Sequence, residues 1–527
     1  MLRARCLYAD WHKASKALYF LFTLSLFFIL SACNTGGILS GVDAIPLPFN
    51  PENAWKTADS TMLAQTGWMY ADTYTRPHYQ QTTPHLLWAT EYGIDEKADT
   101  LLSILKGVEA HGLSTTSFHV KEIEQHLNTL RAFVPDSCEE CEVSRVQGCL
   151  DYLLTEAYMR FAYGQRYGYV RPHKLFNNLL LDTPEPGSKA TEKYRRIFDI
   201  QCDIPEESFF QEAISHLKDD IDGFREFLQE IQPSDELYLK IQQAHQEAKV
   251  QGDKEKQRLC AINLERGRWR YQRPTEEKYV WVNLANFMLT AVNTKTDSIL
   301  TMRVCGGDSK HKTPLLRSEI NRLELNPYWV IPTSIIRNEL IPHHINDSSY
   351  YARNNIRAIN NKTKEESDPW LLSAAQLKSG LYTLRQEKGA GNSLGRMIFR
   401  FPNDFAVYLH DTNNPSAFNK NVRAVSHGCV RVQHPLDLAT FLMDDPDEDL
   451  VDRIRIAIGR KPLGEKGKKL MEENPEYEGM KSHTFKPAIP VYLDYYTLYP
   501  SPKDGKLNTY PDNYGYDKEI EKILKQF

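Results

Sequence analysis

The chain has no apolar run long enough for an ordinary membrane-spanning helix. The nearest approach, Ala17 to Leu30, is 14 residues, against the roughly 20 that a span needs. A strong excess of either charge is lacking as well, with 64 Lys and Arg against 69 Asp and Glu. A formal net charge of −5 offers nothing to a polyanion, so nucleic acid is not an expected partner. Internal repeats and low-complexity blocks are missing, and with 41% hydrophobic and 25% charged residues the chain reads as globular. Metal-ligand spacing is missing too. Cys138-x-x-Cys141 is half a zinc site with only Cys149 nearby, and His410, Asp411, His427, Cys429 and His434 alternate with a glycine turn in no usual zinc pattern. Gly389-x-Gly391-x-x-x-Gly395 mimics a dinucleotide fingerprint but leads into a strand instead of opening a helix. No metal and no cofactor are expected.

The N-terminus is informative. Arg3, Arg5, Lys13 and Lys16 precede the apolar run, which ends in Leu30-Ser31-Ala32-Cys33. A basic start, an apolar middle and small residues at the end describe an export signal over residues 1–32. The ending resembles a bacterial lipobox, whose cysteine, here Cys33, is lipidated. An uncleaved membrane anchor is the alternative. Either way the remainder is expected outside the cytoplasm, and the lipobox reading makes it a periplasmic, membrane-anchored lipoprotein. There Cys138, Cys141, Cys149 and Cys202 could pair among themselves.

The 527 residues allow two to four domains. Residues 33–55, with Gly36, Gly37, Gly41 and three prolines, read as a tether. From 56 to 250 apolar residues recur at helical spacing. Examples are Leu101, Leu102, Leu105 and Val108, then Leu150, Leu153, Leu154 and Ala157. Phe210, Ile214, Leu217, Ile221, Phe224 and Leu228 predict one further helix, with Ser208 as its N-cap. This is a helical scaffold with no catalytic constellation. Residues 251–277 read as a linker. From 278 to 459 the period changes to short β-branched runs, Tyr279–Leu284, Ser298–Val304, Met397–Phe401 and Phe405–Leu409, which predict a sandwich or barrel. The polar segment 343–380 interrupts it as a candidate lid. A charged connection over 460–486 precedes a returning strand, Pro490–Leu498, and a terminal helix, Lys518–Phe527, within 487–527. The fold class is therefore α+β and multidomain: a helical N-terminal scaffold and a mostly-β, sandwich-like catalytic domain with a polar lid insertion.

The chemistry concentrates in residues 400–435. The run Phe405–Leu409 delivers His410, and Ser426-His427-Gly428-Cys429-Val430-Arg431 follows after a polar connection. A thiol with two imidazoles in reach and a glycine beside it fits a cysteine nucleophile with a base. Gly428 lets backbone N–H groups face a developing oxyanion. A nearby imidazole either accepts the thiol proton or lowers its pKa.

His410, a gap of fifteen residues and Ser-His-Gly-Cys resemble the L,D-transpeptidase signature of YkuD type. Tyr408-Leu409-His410-Asp411-Thr412, Leu325-Asn326-Pro327-Tyr328-Trp329-Val330-Ile331-Pro332 and Gly389–Gly395 are similar to the YcbB-like branch of that family. So are Asn263–Trp269 and, in the scaffold, Glu109-Ala110-His111-Gly112-Leu113. The resemblance implies peptidoglycan stem peptides as substrate, with a thioester on Cys429, release of D-Ala from a tetrapeptide and a 3→3 crosslink. It makes His410 the base, held by the backbone carbonyl of Asp411 with side-chain identity there unimportant. His427 becomes a secondary member, and the N–H groups of Gly428 and Cys429 become oxyanion donors. Tyr408, Trp329, Arg431 and Asn392 fall on substrate-pocket positions, and Arg431 could hold a substrate carboxylate. Two departures stand out. A peptidoglycan-binding helical module, frequent in the branch, has no room in Gln251–Trp269, and Asn413-Asn414 precede Pro415 where relatives have proline directly after the threonine. An L,D-carboxypeptidase or endopeptidase on the same framework, and a non-catalytic cell-wall scaffold, are the alternatives. The sequence names no protein partner.

Overall fold

A computed structural model describes residues 46–526 except 84, 179, 183–192, 195, 270–275, 444–445 and 502. The export signal, Cys33 and most of the tether lie outside the described residues. Among the described residues no helix is long and apolar enough to cross a membrane.

The chain divides into two compact units. The first gathers the residues up to Gln65, Gln81–Asp95 and Gln125–Tyr152. Its helix Pro51–Ala64 starts inside the stretch expected to be tether. Asn50 caps it by accepting from the N–H groups of Glu52 and Asn53, and Pro51 suits the first turn. The buried Asp151 carboxylate gathers the N–H groups of Leu87, Trp88 and Ala89 at 2.9, 2.7 and 2.9 Å, charge-assisted bonds that fix a turn.

The second unit holds Thr66–Gln80, Glu96–Glu124 and Leu153–Phe527. The helix expected over 208–228 is two, Glu207–Ser215 and Ile221–Glu230. Asp220 caps the second through the N–H of Gly223, and Ser208 is an interior residue. The expected linker is mostly the helix Lys254–Arg268. Three of its charges, Glu265, Arg266 and Arg268, are buried in pairs. Arg268 meets Glu265 at 3.0 Å, and Arg266 meets Asp517 of the terminal helix Tyr516–Leu524 at 2.6 Å.

The strands of the large sheet are β1 (Phe198–Asp199), β2 (Lys278–Asn283), β3 (Met288–Asn293), β4 (Ser298–Gly307), β5 (Leu315–Leu325), β6 (Met397–Arg400), β7 (Leu409–His410), β8 (Ala424–Ser426), β9 (Val430–Val432) and β10 (Ser482–Asp494). Among the described residues eight of them form a closed circuit, β2-β3-β4-β9-β7-β6-β5-β10, with β10 returning parallel to β2. Of the two expectations, sandwich or barrel, the pairing is that of a sheet closed on itself, with β1 and β8 added at its sides. Its core runs through Val280, Val282, Leu289, Val304, Leu323, Phe399, Leu409, Val430 and Val491. The 460–486 connection contains the helix Glu465–Glu473 and the start of β10.

The 343–380 insertion is not a structureless loop. It belongs to a folded body with a four-stranded sheet of Trp329–Val330, Tyr382–Gln386, Ile356–Asn360 and Glu366–Ser367, and a core of its own around Tyr351, Ile356, Ala358, Leu377 and Leu384.

Candidate active site

Three strands bring the chemistry together. β7 runs parallel to β9, with His410 in register with Arg431, and β9 runs antiparallel to β4, with Arg431 in register with Cys305. Side chains in register share a face, and Cys429, immediately before β9, feels the Arg431 charge as His410 does. Imidazole and guanidinium therefore sit on one side of the sheet.

The run that delivers His410 is shorter than expected. Only Leu409 and His410 are strand. Asn403 holds Phe405–Val407 in a turn, its side chain accepting from the N–H groups of Phe405 and Val407 at 3.0 and 3.2 Å. Ala406 there has φ 52°, an uncommon value for a residue with a Cβ. The turn aims backbone at sulfur: Cys429 Sγ is 3.8 Å from the Ala406 carbonyl oxygen, and the Tyr408 N–H donates to the thiol.

His410 is 3% exposed. Its Nδ1 lies 3.3 Å from the carbonyl oxygen of Leu394, and the Asp411 carbonyl also supports the ring. A carbonyl only accepts, so Nδ1 carries the proton and Nε2 is left with its lone pair. Burial, reinforced by the charge of Arg431, pulls the His410 pKa down to about 4. Burial pushes the Cys429 thiol up from its ordinary value, against the Tyr408 N–H and the cations Arg431 and Arg400. Both shifts favour the uncharged forms, thiol and imidazole.

Asp411 does more than lend a carbonyl. Its carboxylate accepts from the Arg396 N–H at 2.9 Å, and Gly395, at φ 66°, lies so close that a Cβ would fall 2.4 Å from Asp411 Cβ. The side chain thus fixes the loop that presents the Leu394 carbonyl, which corrects the expectation that its identity is unimportant.

Gly428 takes φ 110°, a conformation open to glycine. Its N–H donates to Ser426 Oγ at 3.2 Å, and that hydroxyl donates to the Cys429 carbonyl at 2.5 Å. Of the two expected oxyanion donors, the Gly428 N–H is thus engaged, while the Cys429 N–H has no hydrogen bond among the described residues.

His427 faces elsewhere. Its Nε2 meets Glu339 Oε1 of the insertion at 2.7 Å, and its ring lies 4.8 Å from that of His311. Tyr408 lies under the guanidinium of Arg400, 4.5 Å from the ring centre. The Arg431 Nε is buried with no hydrogen-bond partner among the described residues, a cation left available beside the thiol.

Two expected pocket residues also make structural contacts. Trp329 packs on the insertion's own core. Asn392 is 1% exposed and fully used, donating to the Pro327 and Glu387 carbonyls at 3.1 and 3.0 Å and accepting from the Leu394 N–H at 2.8 Å. The described cysteines, Cys138, Cys141, Cys149 and Cys202 among them, are all free thiols. The residues that sequence reasoning missed are Leu394, which acts through backbone, and Ser426 and Glu339, of which only Ser426 had a signal, as the first residue of the motif.

Comparison with known proteins identifies two domains. The model of the YkuD L,D-transpeptidase catalytic domain matches residues 277–456, and a Scaffold domain matches 73–244. Residues 277–456 are thus an L,D-transpeptidase catalytic domain of YkuD type, preceded by a Scaffold domain as in the YcbB-like branch. A Haemophilus influenzae protein named "Putative L,D-transpeptidase" is 26% identical over 352 residues, which is 66% of each chain, just under two thirds of that relative's length. The structure of an L,D-transpeptidase from Mycobacterium smegmatis overlaps 41% of this chain and 58% of its own at 14% identity, with a TM-score of 0.19, too low to support a comparison of folds. His410, Cys429 and Ser426–Arg431 all fall inside the matched catalytic domain.

Proposed function

We propose that the chain forms 3→3 peptidoglycan crosslinks through a thioester on Cys429, releasing D-Ala from a tetrapeptide stem. The observation that carries this is the buried His410, whose Nδ1 is committed to the Leu394 carbonyl and which lies in register with Arg431, two residues from Cys429. Nε2 takes the Sγ proton as sulfur bonds to the carbonyl carbon of the third stem residue. The Cys429 N–H receives the oxyanion, joined by the Gly428 N–H if it releases Ser426. The carbon–nitrogen bond to D-Ala then breaks, and His410 returns the proton to the leaving amine. A side-chain amine of a second stem attacks the thioester, loses its proton to His410, and the thiol is restored. Arg431 binds a stem carboxylate, with Tyr408 lining the donor site. His427 serves as a neighbouring support, not as the base.

Incubation with disaccharide-tetrapeptide followed by mass spectrometry tests the proposal. The expected product is a crosslinked dimer plus free D-Ala, absent with Cys429→Ala. Tripeptide alone would show that water is the acceptor and would reject the crosslinking step. The proposal extends to placement, supported by the basic and apolar start that ends at Cys33: a periplasmic lipoprotein. Labelled fatty acid should enter the wild type and be lost in Cys33→Ser.

A further inference from the structure

His427 belongs to the catalytic motif, yet its polar atom is spent on the insertion. Nε2 lies 2.7 Å from Glu339 Oε1, on the turn Ile336–Leu340. On the other side its ring faces His311 at 4.8 Å, and His311 Nδ1 is 3.1 Å from Asp308 Oδ1. The Asp308 N–H in turn donates to the Ser426 carbonyl at 2.9 Å. Four alternating groups, Glu339, His427, His311 and Asp308, thus run from the insertion across the catalytic loop to the end of β4. The insertion has a core of its own, so it can shift as a body, and it reaches the base by a second route. Gln386 of its last strand accepts from the Ser393 N–H at 2.9 Å, next to the Leu394 carbonyl that holds His410.

We propose that Glu339 is a positioning residue. Through His427 it docks the folded insertion on the catalytic loop, and this governs how extended peptide donors, as opposed to small electrophiles, reach Cys429. The pair is nearly half exposed on both sides, at 41% and 44%. Such a contact is weak and sensitive to salt, which suits a contact that must open for entry and close for reaction. The inference rests on the crosslinking proposal above for its substrate, and the test separates the two.

Glu339→Gln keeps the shape and removes the charge. In the full-length protein the expected result is a three- to tenfold higher KM for disaccharide-tetrapeptide with kcat within twofold. Labelling of Cys429 by a polyethylene glycol maleimide, located by peptide mapping, should be several-fold faster, and labelling by iodoacetamide unchanged. Glu339→Asp should fall between wild type and Glu339→Gln. Unchanged KM and unchanged bulky labelling would overturn the proposal, as would a parallel fall of kcat and iodoacetamide labelling. If wild type does not turn over the tetrapeptide, the crosslinking proposal fails, and faster bulky labelling of Glu339→Gln still decides for or against docking.

Discussion

His410 Nδ1 sits 3.3 Å from the Leu394 carbonyl oxygen, and this contact decides which nitrogen of the ring can act. Burial and the charge of Arg431, against the pull of this carbonyl, lower the pKa of the ring.

The acid limb of the rate should accordingly lie near pH 4, not near the roughly 6.5 of an ordinary histidine. The rate of Cys429 acylation by a carbapenem, measured by protein mass between pH 3 and 9, checks this, and a midpoint near 6.5 would refute it.

The same shift bears on stability, with a definite sign. Between about 4 and the ordinary value the unfolded chain binds a proton at residue 410 that the folded chain refuses. Stability contributed there falls as pH drops through that window, by roughly 3 kcal/mol in full. Urea unfolding of wild type and His410→Gln at pH 7 and pH 4 should show the difference between them change by that order.

Ser426→Ala removes the hydroxyl that bridges the Gly428 N–H and the Cys429 carbonyl. The expected cost is roughly 1–2 kcal/mol of stability, with kcat for acylation falling more than KM rises, because the motif loses its shape. Thermal melts and acylation kinetics read the two effects separately.

Asn392→Ala separates a structural role from a binding one. Its buried amide holds three partners by the contacts above, so a loss of roughly 2–3 kcal/mol is expected. KM for the donor should be unchanged at a temperature where the variant is folded. A raised KM with unchanged stability would return Asn392 to the substrate pocket.

Much of the sheet was legible because β2 and β4 alternate over part of their length and β6 is a short apolar run, and the motif itself announced Cys429 and His410. Phe405–Leu409 misled because its apolar content is that of a strand, while the turn is made by a single side chain, Asn403. Lys254–Arg268 misled for the opposite reason. Its charges suggest solvent, yet Glu265 and Arg268 find each other three residues apart, and Arg266 finds a partner, Asp517, that only the fold supplies. The polar surface of the insertion hid a core made of few residues. Leu394 was beyond reach, since it works through a carbonyl that every residue possesses.

The insertion departs from the sheet at Leu325 and returns at Met397, and these two residues are partners across β5 and β6. It is thus an overgrown hairpin, and its stem is closed before the inserted body begins. A change of length within such a cassette need not move the strand pairing that positions His410.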